Sequence, residues 1–338
     1  MPPDRVVAIG ASAGGVEAVS RIAAALPARF PAAVLVTVHV SASTPSVLPA
    51  ILARAGRLPA AAVADGEPVV AGRIYVAAPD RHLVVHDGRA WSDRGPREHH
   101  SRPAVDPMFR SVAAEYGDRA IGVVLSGALD DGTAGLIAIK RAGGIAVVQD
   151  PDTALHHGMP ASAAAHADVD VVLPLDGIVP YLVSVVGPPP DGPHEGATME
   201  HDTGESQVQH PPAPHPHPPA GAVPSAYSCP DCGGVLWEID DGGFVRYRCR
   251  IGHAFTSETL QQTQGEGVEQ ALSAALRALE ERAALSRRMA DGARERGHVH
   301  TAARFDEAAV DAEHSARVVN ELLLRPGSPV VERQSAEG

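Results

Sequence analysis

From residue 5 to about 186 the chain alternates short, nearly continuous apolar runs with stretches of helical periodicity, and few folds accommodate that alternation. The runs Val6 to Ile9, Val34 to Val38, Ile74 to Ala77, Ile121 to Leu125, Ile145 to Val148 and Val169 to Leu173 are rich in β-branched residues. They lack the apolar-polar alternation of a strand with one wet face, so they read as strands buried on both sides. Between the first two, Val16, Val19, Ala23 and Leu26 recur at helical spacing until Pro27 stops the helix. A second helix is expected from about Thr133 to Ala142, ending at Gly143-Gly144. The fold class that follows is α/β: a doubly wound, mostly parallel sheet with helices on both faces.

In such sheets reactive groups gather at the carboxyl ends of the strands. Three polar motifs sit there: Gly10-Ala-Ser-Ala-Gly14, Val38-His39 and Ser126-Gly-Ala-Leu-Asp-Asp-Gly132. Ser12 lies in a G-x-S-x-G turn between strand and helix, where free N–H groups and the helix dipole can stabilise an oxyanion. A dinucleotide-binding turn fits less well, because Ser12 replaces the middle glycine and His39 occupies the place of the acidic ribose ligand. His39 ends the next strand and can act as a base toward Ser12. A carboxylate in Asp130-Asp131-Gly132 can hold the imidazole, or merely cap the following helix; spacing alone leaves Asp130 and Asp131 both as candidates.

Residues 5 to about 183 resemble the catalytic domain of the CheB-type chemotaxis protein-glutamate methylesterases. The matching blocks are Ile9-Gly-Ala-Ser-Ala-Gly-Gly15, Val38-His39, Asp65-Gly-Glu-Pro68, Arg73 to Leu83, Arg102 to Phe109, Leu125 to Gly132, Gln149-Asp150 and Gly158-Met-Pro160. The resemblance implies an esterase acting on glutamate methyl esters of chemoreceptor helices, with possible deamidation of glutamine. It assigns Ser12 as nucleophile, His39 as base and, between the two aspartates, Asp131 as the orienting carboxylate. Arg81, Arg102 and the Gly158-Met159 turn are candidates to line the receptor cleft, against the alternative of surface salt bridging and packing for each. The family's usual Gly-Met-Gly becomes Gly127-Ala-Leu129, and the Pro-Met that commonly follows the histidine becomes Val40-Ser41. Family members usually carry a receiver domain ahead of the esterase, and the first strand here begins near Val6, so control by an aspartyl phosphate of its own is not expected. The rival reading is a catalytically silent binding or adaptor module of a signalling pathway.

The expected organisation is a methylesterase domain over 1–186, a disordered Pro/His-rich linker over 187–226, a zinc-ribbon-like module over 227–265, a helical hairpin over 266–325 and a disordered tail over 326–338. Cys229-Pro-Asp-Cys232 and Cys249-Arg-Ile-Gly-His253 flank a segment suited to a hairpin turning at Asp240 to Gly243. Cys229, Cys232, Cys249 and His253 form a structural zinc pattern with no open position, and no cofactor for catalysis is expected. In the hairpin, Leu272, Leu276, Leu279 and Met289 mark one apolar stripe and Phe305, Ala309, Ala312, Val319 and Leu322 the other, with Gly292 and Gly297 suited to the turn. That hairpin is a candidate surface for a signalling partner. His82, His99, His100, His156 and His157 show no ligand spacing and are expected at the surface or in loops.

A formal charge of −13 argues against non-specific nucleic-acid binding. Lys140 is the only lysine, which leaves little room for lysine chemistry. No apolar run reaches membrane-spanning length and no cleavable leader precedes the first strand, so a cytoplasmic protein without membrane insertion is expected.

Overall fold

A computed structural model of the chain describes residues 3–40, 45–188 and 221–325. The expected linker, apart from its two ends, and the expected tail lie outside those residues. The chain divides after Thr259 into two compact units.

The first unit is built on a seven-stranded sheet whose pairs are all parallel. Along the chain its elements are β1 Arg5–Ala11, α1 Gly15–Ala25, β2 Ala32–Val38, α2 Leu48–Ala55, β3 Ala60–Ala62, β4 Glu67–Pro68, β5 Ile74–Val76, β6 His82–His86, β7 Arg89–Asp93, α3 Val105–Tyr116, β8 Ala120–Val124, α4 Thr133–Arg141, β9 Ile145–Gln149, α5 Gly158–His166, β10 Val171–Leu173 and α6 Leu175–Val186. The spatial order is β10-β9-β8-β1-β2-β5-β3. The chain therefore winds outward from β1 through β2, then returns to the other side of β1 at β8 and winds outward again. This reversal between β1 and β8 opens a crevice at their carboxyl ends.

Alternate residues of β1 feed two cores. Val6 and Ala8 pack with Val105, Met108 and Phe109 of α3 and Leu136 of α4, while Val7 and Ile9 pack with Val19 and Ile22 of α1, Leu52 of α2 and Leu182 of α6. Complete burial on both faces explains why these strands read as unbroken apolar runs. Neither the antiparallel β4-β7-β6 sheet nor α3 is among the elements read from the sequence, yet α3 covers one face of the main sheet.

The same unit includes an antiparallel four-stranded sheet, β11 Val223–Ser228, β12 Val235–Asp240, β13 Val245–Cys249 and β14 Ala254–Thr256. The β12-β13 hairpin turns through Asp240 to Gly243, with Gly242 and Gly243 at φ +77° and +98° and the Gly243 N–H bonded to Asp240 Oδ1 at 2.6 Å. Phe244, just past that turn, joins the core on the α3 face.

Helix α7 spans Ser257–Glu295 and α8 spans Val299–Leu323. Leu272, Leu276, Leu279, Ala283, Ser286, Ala290 and Ala293 recur at alternating spacings of four and three along the shielded side of α7. Ala302, Phe305, Ala309, Ala312, Ala316, Val319 and Leu323 do the same along α8, the heptad pattern of paired helices. Arg287 bonds Glu313 at 2.6 Å and Arg294 bonds Asp306 at 2.5 Å across the pair. Two details differ from the sequence reading. Met289 is 43% and Leu322 39% exposed, one step off each seam, and Gly292 lies inside α7, leaving Gly297 at φ +75° to make the turn. Among the described residues no helix is long and apolar enough to cross a membrane.

Candidate active site

The sheet register brings Ser12 and His39 together. Ala11 pairs with Val38 in the parallel β1-β2 ladder, and the His39 N–H bonds the Ala11 carbonyl at 3.2 Å. Ser12 and His39 are the first residues past these two paired strand ends. Ser12 itself is half-buried, and its N–H bonds the Ser126 carbonyl at 3.0 Å across the switch point. Gly14 turns the chain into α1 at φ +72°, where an added Cβ would meet Ser126 Oγ at 2.9 Å, so the turn requires glycine. Among the described residues neither the Ala13 nor the Gly14 N–H is taken by a backbone carbonyl.

Asp131 meets His39 from the end of β8. Its Oδ2 lies 2.6 Å from His39 Nε2. The same oxygen accepts the Val105 N–H at 2.6 Å, and Oδ1 accepts the Asp106 N–H at 3.0 Å, both from the first turn of α3. Burial alone would push the Asp131 carboxyl up, but the charge of His99 and the hydrogen bonds from His39 and Val105 outweigh it and hold it well below the usual carboxylate range. Asp131 is thus a buried anion gripped on both oxygens, with the His39 ring as its one link to the crevice. Asp130 points elsewhere: it accepts the hydroxyls of Thr256 at 2.8 Å and Thr259 at 3.1 Å. Geometry separates the two aspartates that spacing could not.

Of the histidines expected at the surface or in loops, His82 instead lies buried in β6, and His99 does lie in a turn but is buried. His82 is 2% and His99 8% exposed. The His82 ring lies between the Pro96 carbonyl at 2.9 Å and the Ala104 N–H at 3.2 Å, and burial pushes its pKa down. His99 Nε2 lies 2.8 Å from Asp106 Oδ2 and 3.4 Å from Asp131 Oδ1, with Nδ1 3.2 Å from Thr259 Oγ1. Burial works against a charge on His99, but the surrounding Asp131, Asp106 and Asp130 prevail and raise its pKa to about 10. Asp106 fell within a block that the family resemblance singled out; nothing local marked His99, whose φ of +52° and long-range partners give no periodic signal.

Of the other candidates, Met159 lies close to Ser12, since the Cβ position on Gly127 is 3.0 Å from Ser12 Cβ and touches Met159, while the two arginines are engaged with other groups. Arg102 bonds Asp80 at 2.8 Å and the Gly95 carbonyl at 2.7 Å, and Arg81 bonds the Ser92 carbonyl at 3.2 Å. Met159 is fully buried and its N–H bonds the Gly127 carbonyl at 2.9 Å; a Cβ on Gly127 would meet Met159 Sδ at 2.0 Å. Leu129, in place of the family's usual second glycine, adopts φ +61°. Val40 is half-buried beside the site, whereas Ser41 lies outside the described residues.

Cys229, Cys232, Cys249 and His253 converge, with all four ligand atoms within 4.8 Å of one another. Cys232 Sγ lies 3.7 Å from Cys249 Sγ, and His253 Nδ1 lies 3.6 Å from the Sγ atoms of both Cys229 and Cys249. A tetrahedral ion with bonds near 2.3 Å separates its sulfur ligands by about 3.8 Å, so the donor set and spacing fit a four-coordinate metal.

The CheB methylesterase family profile matches residues 7–182. A protein-glutamate methylesterase/protein-glutamine glutaminase of Anaeromyxobacter dehalogenans (strain 2CP-C) is 44% identical over 187 residues, covering 54% of this chain and 55% of the relative. One of Xanthomonas oryzae pv. oryzae (strain MAFF 311018) is 38% identical over 186 residues, covering 54% and 52%. The chain thus spans about half the length of these curated relatives. The solved CheB methylesterase catalytic domain of Thermotoga maritima matches with a TM-score of 0.50 and 32% identity, covering 54% of this chain and 98% of that one.

Proposed function

The chain belongs to the CheB methylesterase family, and from that premise we propose that it hydrolyses glutamate γ-methyl esters on chemoreceptor-like helices through Ser12, His39 and Asp131. The single observation that carries the reading is the 2.6 Å contact from buried Asp131 to His39, at a strand end whose register sets Ser12 alongside. Nε2 of His39 is engaged by Asp131, which leaves Nδ1 to take the Ser12 hydroxyl proton as Oγ attacks the ester carbonyl. The Ala13 and Gly14 N–H groups, at the positive end of α1, receive the developing oxyanion. His39 returns its proton to the departing methanol; water then bonds to the acyl carbon while giving a proton to the same nitrogen, and that proton passes to Ser12 Oγ as its bond to the acyl carbon breaks and the γ-carboxylate leaves. Asp131 stabilises the imidazolium formed in each half-reaction. Glutamine side chains can follow the same route with ammonia as the leaving group.

An open apolar depression of about 220 Å³, lined by Val16, Val40, Pro45, Val47, Leu48 and Ile51, begins one residue past His39 and suits the apolar face of a substrate helix. The Cys3His cluster is assigned to zinc, since three thiolates and one imidazole with no open position make a structural site. Free cysteines suit a cytoplasmic setting. The exposed Leu285, Val310 and Val318 of the α7-α8 pair support a role in contacting a signalling partner.

Methanol release from methylated receptor helices tests the reading. Activity in the parent, lost in Ser12→Ala and His39→Ala, is the expected result. Equal rates in all three, or none in the parent, would leave the silent binding module as the better account.

A further inference from the structure

His99, which lies behind Asp131, is carried by a segment bonded to the cysteine-bearing sheet. The segment that carries His99 lies along β14: the His99 N–H bonds the Ala254 carbonyl at 2.8 Å, and the Ala254 N–H bonds the Arg97 carbonyl at 3.2 Å. Glu98, between them, is buried and lies 2.5 Å from Arg110 of α3 and 3.4 Å from Arg248 of β13. At the end of β14, Thr256 caps α7 by accepting the Thr259 N–H at 3.2 Å, and both threonine hydroxyls reach Asp130. Thr259 Oγ1 also faces His99 Nδ1.

These contacts form one chain of donors. A doubly protonated His99 donates from Nε2 to Asp106 and from Nδ1 to Thr259; the Thr259 hydroxyl then donates to Asp130. Asp106 is itself fixed by the Gly135 N–H at 2.6 Å, and its own N–H holds Asp131. The second ligand-bearing turn of the cysteine cluster is next to this chain in sequence. Cys249 follows Arg248, and His253 precedes Ala254. A metal that closes the 249–253 turn therefore fixes both residues that grip the His99 segment.

We propose that His99, together with Thr256 and Thr259, forms a positioning relay through which the folded metal module aligns Asp131 behind His39. This rests on the esterase reading and deepens it, making the module part of the active centre's framework rather than an independent appendage. None of these residues touches substrate; they act through Asp131. The charged or titratable groups facing the relay include Asp106 and Arg110 from α3, Asp130 and Asp131 from the loop after β8, Glu98 from the segment beside β14, His82 from β6, Arg248 from β13, Glu258 from α7, and His39 itself. Removing the His99 cation leaves the carboxylates less compensated, which favours a proton on His39. The acid limb of the rate profile must then move to higher pH.

The test uses the full chain with its metal retained, comparing His99→Gln, Thr259→Val and Thr259→Ser, with thermal unfolding to exclude misfolded variants. For His99→Gln we expect kcat to fall about tenfold with KM within twofold of the parent, and the acid limb of kcat/KM to move up by roughly 1 pH unit. Thr259→Val should lower kcat about fivefold, and Thr259→Ser, which keeps the hydroxyl, should restore it. The His39 ring signals, followed by NMR against pH, should shift in the same direction in His99→Gln, a readout that needs no turnover. Identical His39 titrations in folded parent and His99→Gln would overturn the relay whether or not the parent releases methanol. An inactive parent whose His39 titration does move would instead sink the esterase reading and leave the relay standing.

Discussion

The parallel sheet and the cysteine-bearing sheet sit in one unit but are held together by different physics. The first buries β1, β2 and β8 between two layers of helices, so its alignment of Ser12 and His39 comes from a continuous apolar core and strand register. The second has few large apolar side chains to bury, chiefly Leu236, Phe244, Tyr247 and Phe255. Beside its Cys3His cluster, its further contacts are polar, through Glu98, His99, Thr256 and Thr259. A region with a large core tolerates local loss, whereas a small module stands or falls with its ligands. The proposed triad is split accordingly: Ser12 and His39 follow strands with the first kind of support, and Asp131, in the proposed relay, leans on both.

The sharpest way to break this comparison is to remove chemistry while leaving both supports. Asp131→Asn keeps the acceptor oxygen yet loses the charge and presents the wrong hydrogen-bond pattern to His39; we expect kcat to fall by about three to four powers of ten. Steady-state methanol release checks this, and a fall under tenfold would mean that Asp131 does not orient the base. Removing the metal comes next. Cys249→Ser should unfold the β11–β14 sheet but leave the main thermal transition, with activity reduced about tenfold or more through loss of the relay. Metal content, hydrogen exchange and rate together decide it; a metal-free variant with full activity would separate the two regions completely.

Stability against pH probes their junction. Because the folded pKa of His99 is raised from 6.5 to about 10, its contribution is fully present below pH 6.5 and declines as pH rises toward 10. Thermal unfolding should show that decline in the parent and a flatter curve in His99→Gln; parallel curves would contradict a buried cation there. A smaller effect is expected at Leu129, where a non-glycine residue occupies φ +61°. Leu129→Gly should raise stability by up to about 1 kcal/mol if relief of the left-handed conformation exceeds the entropy gained by the unfolded chain. Denaturant unfolding measures the balance. Smallest of all, Arg287→Ala should cost under about 1 kcal/mol, because its pair with Glu313 is exposed on both sides.

The parallel sheet was legible because burial on both faces leaves a local mark: unbroken β-branched runs such as Val34 to Val38. Ser12 and His39 were legible because they end such runs. The choice of Asp131 over Asp130 needed either family resemblance or coordinates, since the two adjacent carboxylates differ only in what they face. Helix α3 escaped notice although its buried Val105, Met108, Phe109 and Val112 follow helical spacing, because the irregular segment before it gave no clear start. His99 was misread for a deeper reason. Its partners, Asp106, Asp131 and Thr259, come from three separate parts of the chain, and its left-handed backbone belongs to no repeating pattern. The hairpin stripes were mostly readable, but Met289 and Leu322 show that apolar identity does not decide which side of a helix is covered.

The central claim is that Ser12 is a nucleophile activated by His39 and Asp131. Intact-mass analysis after treatment with a fluorophosphonate tests it directly. The account predicts one stoichiometric adduct, located on Ser12, absent in Ser12→Ala and formed far more slowly in His39→Ala and Asp131→Asn. An unlabelled parent, or labelling of Ser12 at the same rate in all the triad variants that retain it, would contradict the account.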